Sequence, residues 1–96
     1  MIIKSSGLLS AALALVFTGR CQLIGASITG DGTAIPTLTL YDNTSNSGLG
    51  VLHLGVTATN KSVSIMFPEN GIPCSTGLYA VMTDAGNANY IIYYSL

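Results

Sequence analysis

From residue 20 onward the chain is cut into short apolar segments by Gly, Asn, Asp and Pro at intervals of roughly 8–12 residues, the rhythm of an all-β fold. Within these segments the apolar positions recur with period two. In Thr37 to Asp42, Leu38 and Leu40 fall on one face, while Thr37, Thr39 and Tyr41 fall on the other. Val51 to Val56 repeats the pattern, with Leu52, Leu54 and Val56 inward and His53 outward. Lys61 to Phe67 places Val63, Ile65 and Phe67 on the core side and leaves Ser62, Ser64 and Met66 outside. Cys21 to Thr29 reads as a further strand, stopped by the turn Gly30-Asp31-Gly32. Pro68 to Pro73 is expected to be irregular, because proline removes a donor from a strand ladder. Leu78 to Thr83 and Tyr90 to Ser95 read as a last pair, joined by Asp84-Ala85-Gly86-Asn87 as a hairpin-type loop. The expectation is one domain over residues 1–96. Its fold class is all-β, a jelly-roll-like β-sandwich of about seven to eight short antiparallel strands.

Two segments depart from one-sided alternation. Ala11 to Phe17 and Tyr90 to Tyr94 are apolar on both faces, as strands covered on both sides are. A thin sandwich has no second core to cover the far face, so both segments are expected to lie at a subunit contact. A short helix is the alternative for Ala11 to Phe17, since Ala and Leu favour one.

The opening residues also have to be weighed as an export signal. Lys4 supplies a positive start and Gly7 to Phe17 an apolar run, but Arg20 precedes Cys21 where lipid attachment wants a small residue. The run is also too short for a membrane helix, which needs about 20 apolar residues. Residues 1–20 are therefore expected to form a strand segment within the fold that takes part in an interface. N-terminal sequencing of the native protein decides between this and a cleaved leader.

Charge narrows the partners. The chain has three basic and four acidic residues, 7% in all, against about 25% in an ordinary soluble domain. Three scattered bases build no cationic surface, so neither nucleic acid nor an anionic membrane is expected as a partner. Disorder is excluded by the 49% hydrophobic content. Asp31, Asp42, Lys61, Glu69 and Asp84 fall at or beside predicted breaks. Strand faces, rather than loops, are thus left bare for contact. A chain of this kind is expected to associate or precipitate near its isoelectric point of about 5.4.

Reaction chemistry is poorly supplied. His53 is the single histidine and lacks a catalytic triad around it. Cys21 and Cys74 share no metal-type spacing; they read as two free thiols of a reducing compartment, with pairing open if their strands meet. Asp42 to Asn46 offers oxygen ligands but one anionic side chain, fewer than calcium loops usually carry, and reads as a turn. Asn43-Thr44-Ser45 and Asn60-Lys61-Ser62 match a glycosylation pattern that is frequent by chance. No nucleophile elbow, phosphate loop or dinucleotide fingerprint is present. The expectation is no enzyme, no catalytic residue, no cofactor and no metal.

Three stretches carry a family likeness: Lys4-Ser5-Ser6-Gly7-Leu8-Leu9, then Leu38-Thr39-Leu40-Tyr41-Asp42-Asn43-Thr44-Ser45-Asn46-Ser47-Gly48, and Phe67-Pro68 followed by Ser75-Thr76-Gly77-Leu78-Tyr79-Ala80. With them the sequence resembles small virion structural proteins of tailed bacteriophages, including phages of cyanobacteria. The resemblance implies a β-sandwich or jelly-roll-like module in the particle's shell or appendages. The first expectation is a capsid decoration (cement) protein in the virion, assembled in the host cytoplasm. Its partners would be the major capsid protein or other virion proteins, together with self-association, often as a trimer in that functional class. A tail, neck or fibre component acting as a docking or adhesion module is the alternative, and a secreted bacterial β-domain a further one. Met66, Tyr79 and Tyr93 are the candidate interface residues, because outward Tyr and Met are enriched in interface cores.

Overall fold

The computed structural model describes residues 3–33, 35–57, 59–68, 71–83 and 88–96. Among the described residues nine strands are formed: β1 (Ile3–Ser5), β2 (Leu13–Thr18), β3 (Cys21–Thr29), β4 (Thr37–Tyr41), β5 (Gly50–Gly55), β6 (Ser62–Met66), β7 (Ile72–Cys74), β8 (Gly77–Thr83) and β9 (Asn89–Ser95). Two short ones, β1 and β7, account for the excess over the number read from sequence. Ala11 to Phe17 does not form a helix; Leu13–Thr18 is the strand β2.

The strands make two antiparallel sheets. One runs β1-β9-β3-β6, with β7 beside β6 on the same edge of β3; the other runs β2-β8-β4-β5. The pairing is that of a long folded hairpin: β1 with β9, β2 with β8, β3 with β6 and β7, and β4 with β5. Rolling this hairpin up adds the contacts β3 to β9 and β4 to β8. The result is the double Greek key of a jelly roll.

This topology corrects the reading of Leu78 to Thr83 and Tyr90 to Ser95 as a hairpin. The two strands lie in different sheets, and β8 is flanked by β2 and β4 while β9 is flanked by β1 and β3. Each strand has its two neighbours from earlier in the chain, so neither has an edge left for the other. Residues 84–87 of the supposed hairpin loop lie outside the described residues.

Alternation places the core as the sequence indicated. Leu38, Leu40 and Leu54 point inward from one sheet and meet Leu23, Ala26, Ile28, Tyr90 and Ile92 from the other. Val63, Ile65 and Phe67 pack against the same cluster, while Ser62, Ser64 and Met66 are exposed. Each fully buried leucine or isoleucine contributes about 1.5–3 kcal/mol relative to exposure.

The opening segment is tied to both sheets, and Leu9, Ala14, Val16 and Phe17 pack partly against the core. Ser6 N–H donates to the Ile92 carbonyl (2.9 Å), and Leu9 exchanges backbone bonds with Tyr90. Tyr90 O–H, buried with its ring, donates to the Ala11 carbonyl at 2.9 Å, which removes the cost of burying a phenol without a partner. Phe17 tilts against Tyr94, ring centres 5.5 Å apart. Among the described residues no helix is long and apolar enough to cross a membrane.

Candidate interaction surfaces and the thiol end

Strand pairing sorts the outward side chains into rows. On the β1-β9-β3-β6 sheet, Ser5, Tyr93, Gly25 and Met66 are consecutive neighbours across one row. The Met66 thioether lies over Gly25, in the space a Cβ there would occupy, so this close approach requires glycine. Met66 is 57% exposed and Tyr93 half-buried. The following rows turn polar: Ile91, Ser27 and Ser64, then Asn89, Thr29 and Ser62.

The β2-β8-β4-β5 sheet carries no formally charged residue in any strand. Its outer face has the row Leu13, Val81, Thr39 and His53 and, beside it, the row Leu15, Tyr79, Tyr41. Leu13 and Leu15 are 52% and 51% exposed, on an edge strand. Two-sided apolarity in β2 therefore has two sources. Ala14, Val16 and Phe17 pack on the core, and a bulge between Leu15 and Phe17 resets the alternation. Leu13 and Leu15 form an apolar corner that the described residues leave open.

Of the three sequence-chosen residues, Met66 and Tyr93 thus share a row, separated by Gly25. Tyr79 lies on the opposite side of the sandwich, between Leu15 and Tyr41. Leu13 and Leu15 fall within Ala11 to Phe17, the segment expected at a contact, but the sequence alone does not single them out, because which of its residues face outward depends on the bulge.

His53 is exposed, its Nδ1 bonded to the Thr39 hydroxyl at 2.8 Å. Asp42 is committed elsewhere. At the end of β4 its Oδ1 accepts from the N–H groups of Thr76 (2.9 Å) and Gly77 (3.3 Å), and its Oδ2 accepts from the Ser75 N–H (3.1 Å) and hydroxyl (3.4 Å). Burial would raise this carboxyl, but the backbone donors of Thr76, Ser75 and Gly77 and the Ser75 hydroxyl outweigh it and hold the group below its ordinary range. A carboxylate serving as acceptor for four donors clamps the distant Ser75–Gly77 turn rather than its own neighbours. Gly77 adds a second constraint, since a Cβ there would meet the Phe17 carbonyl oxygen at 2.6 Å.

Beside this clamp the two cysteines meet. Cys21 of β3 is the direct cross-strand partner of Cys74 of β7. The sequence expectation that Pro68 to Pro73 is irregular is corrected at its end, because Pro73 sits inside β7. It is tolerated there because, among the described residues, β7 pairs on one side only, with β3. Both cysteines are 1% exposed and unbridged. They border a cleft of about 420 Å³, with Arg20, Gln22, Asp42 and Ser75 around it. Burial pushes both thiols up, Cys74 to about 12, and the Asp42 carboxylate adds to the effect. Among the described residues, no three His, Cys, Asp or Glu side chains converge as a metal site would require.

These features define a jelly-roll β-sandwich with an uncharged apolar outer corner and a dithiol at one end. Comparison with family models, curated proteins and solved structures found no match to the chain.

Proposed function

We propose that the protein is a structural assembly module of a tailed-phage particle, specifically a head decoration protein that binds the major capsid protein. One observation carries the assembly reading. A whole sheet without formal charge presents Leu13 and Leu15 beside Val81, Tyr79 and Tyr41, on the side of the sandwich away from the core. Uncharged aromatic and aliphatic surface of this kind suits the centre of a protein contact and is depleted elsewhere on soluble surfaces. The phage assignment rests on the sequence resemblance, and the jelly-roll topology is compatible with it, since capsid domains use that architecture among others.

In this role the module covers a joint between capsomers through its apolar face and acts without catalysis or a cofactor. Copies associate with one another, a trimer being the expected closed form, and the protein resides in the virion.

Quantitative protein analysis of purified particles tests the proposal. A copy number that scales with the capsomers of the shell is expected. A few copies per particle would sink the decoration role and favour a tail, neck or fibre docking module. Absence from particles, with a processed N terminus, would favour a secreted β-domain.

A further inference from the structure

We infer that Cys21 and Cys74 are a disulfide-forming pair whose oxidation staples β7 to β3 and closes the thiol end of the sandwich. The inference is independent of the assembly reading.

Register supplies the geometry. Residues directly opposite in an antiparallel pair have Cα atoms about 4.5 or 5.5 Å apart, and disulfides span Cα separations of roughly 4.4–6.8 Å. Directly opposed side chains also leave the same face of the sheet. Here that face is the core side, as both cysteines belong to the buried cluster. Both side chains are buried at this one spot, with no other residue between them in the register. The register therefore brings the two cysteines within the Cα span of a disulfide.

The position also gives the bond something to do. β7 has three residues, one of them Pro73, and among the described residues β3 is its only strand partner. It leads directly into the Ser75–Gly77 turn that Asp42 clamps. A covalent tie at Cys74 would hold this short edge strand against fraying and closes a long ring from Cys21 to Cys74, which restricts the unfolded chain.

The oxidant is a low-molecular-weight disulfide. One cysteine, as thiolate, attacks a sulfur of that disulfide; the S–S bond breaks, one thiolate leaves, and a mixed disulfide remains on the protein. The second cysteine gives up its proton and attacks the protein sulfur of the mixed disulfide, releasing the other half of the oxidant as a thiolate. Two electrons pass from the cysteine pair to the oxidant, and two protons reach solvent. The cleft beside the pair is the approach route, and fraying of β7 widens it. Because burial holds both thiols protonated, exchange is slow at neutral pH. It accelerates roughly tenfold per pH unit below the thiol pKa values.

The test uses the full chain equilibrated with defined ratios of oxidised and reduced glutathione, quenched by alkylation and read by intact mass and thermal denaturation. Expected is a monomer lacking both thiols, lighter by two hydrogens, with Tm higher by roughly 10–20 °C than the reduced form. Cys21→Ser and Cys74→Ser should each abolish the oxidant-dependent rise. If either variant fails to fold, a non-reducing digest of the oxidised wild type decides by the presence of the cross-linked Cys21–Cys74 fragment. Two alkylatable thiols at equilibrium, stable glutathione adducts on both, intermolecular dimers alone, or an oxidised form no more stable than the reduced one would each overturn the inference.

Discussion

The Asp42 carboxylate accepts the Thr76 N–H at 2.9 Å across 34 residues of sequence. This joins the end of β4 to the turn that starts β8, and the same carboxylate takes the Ser75 and Gly77 amides. One side chain thus fixes the turn between β7 and β8 next to the cysteine pair.

Asp42→Ala should destabilise the protein by about 2 kcal/mol, because several charge-assisted bonds are lost from a partly solvated site. Asp42→Asn keeps one acceptor and should cost less. Urea unfolding followed by circular dichroism measures both. An unchanged midpoint for Asp42→Ala would show that the clamp does not support the fold.

Asp42 also sets an acid dependence. Its folded-state pKa is lowered, so its stabilisation is fully present above the unfolded value and is lost as pH falls through the folded one. Wild-type stability should therefore fall from roughly pH 5 downward. The gap between wild type and Asp42→Asn should close over the same range in denaturation series at graded pH. A constant gap would refute the coupling.

Core and corner leucines should separate cleanly. Leu40 is fully buried, and Leu40→Ala should cost about 2–5 kcal/mol, a large part of the 5–15 kcal/mol typical of a domain. Leu13→Ala should shift monomer stability by no more than about 0.5 kcal/mol. Equal effects would mean that the corner is covered within the monomer.

The double substitution Leu13→Ser with Leu15→Ser should leave the fold intact and weaken association. Sedimentation velocity near pH 5.4, the isoelectric point, should show wild-type oligomers and a mostly monomeric variant. A Met66→Ser variant is the control for the opposite face. If only Met66→Ser dissociates the oligomer, the contact lies on the β1-β9-β3-β6 sheet.

Much of the fold was legible because period-two alternation is a local signal. Leu38 with Leu40, and Val63 with Ile65, declare their inward face within a few residues, and the structure agrees. The outward direction of Ser64 and Met66 follows from the same spacing. β7 was hidden by Pro73, which argues against a strand unless the edge position is known. The Asp42 clamp was also hidden, since an Asp in a turn commonly bonds its nearest amides rather than a turn 34 residues away.

By itself, the sequence determined the β class, the inward leucines and the scarcity of charge on strands, all of them set by neighbours along the chain. Tertiary structure alone decided which strands pair. It sent β8 and β9 to different sheets, turned Leu13 and Leu15 outward through a bulge, placed Tyr79 opposite Met66 and Tyr93, and set Cys21 against Cys74. The physical reason is that antiparallel strands form similar ladders with many partners. The choice among them is made by burying one shared core while leaving every strand its neighbours, a condition on the whole chain.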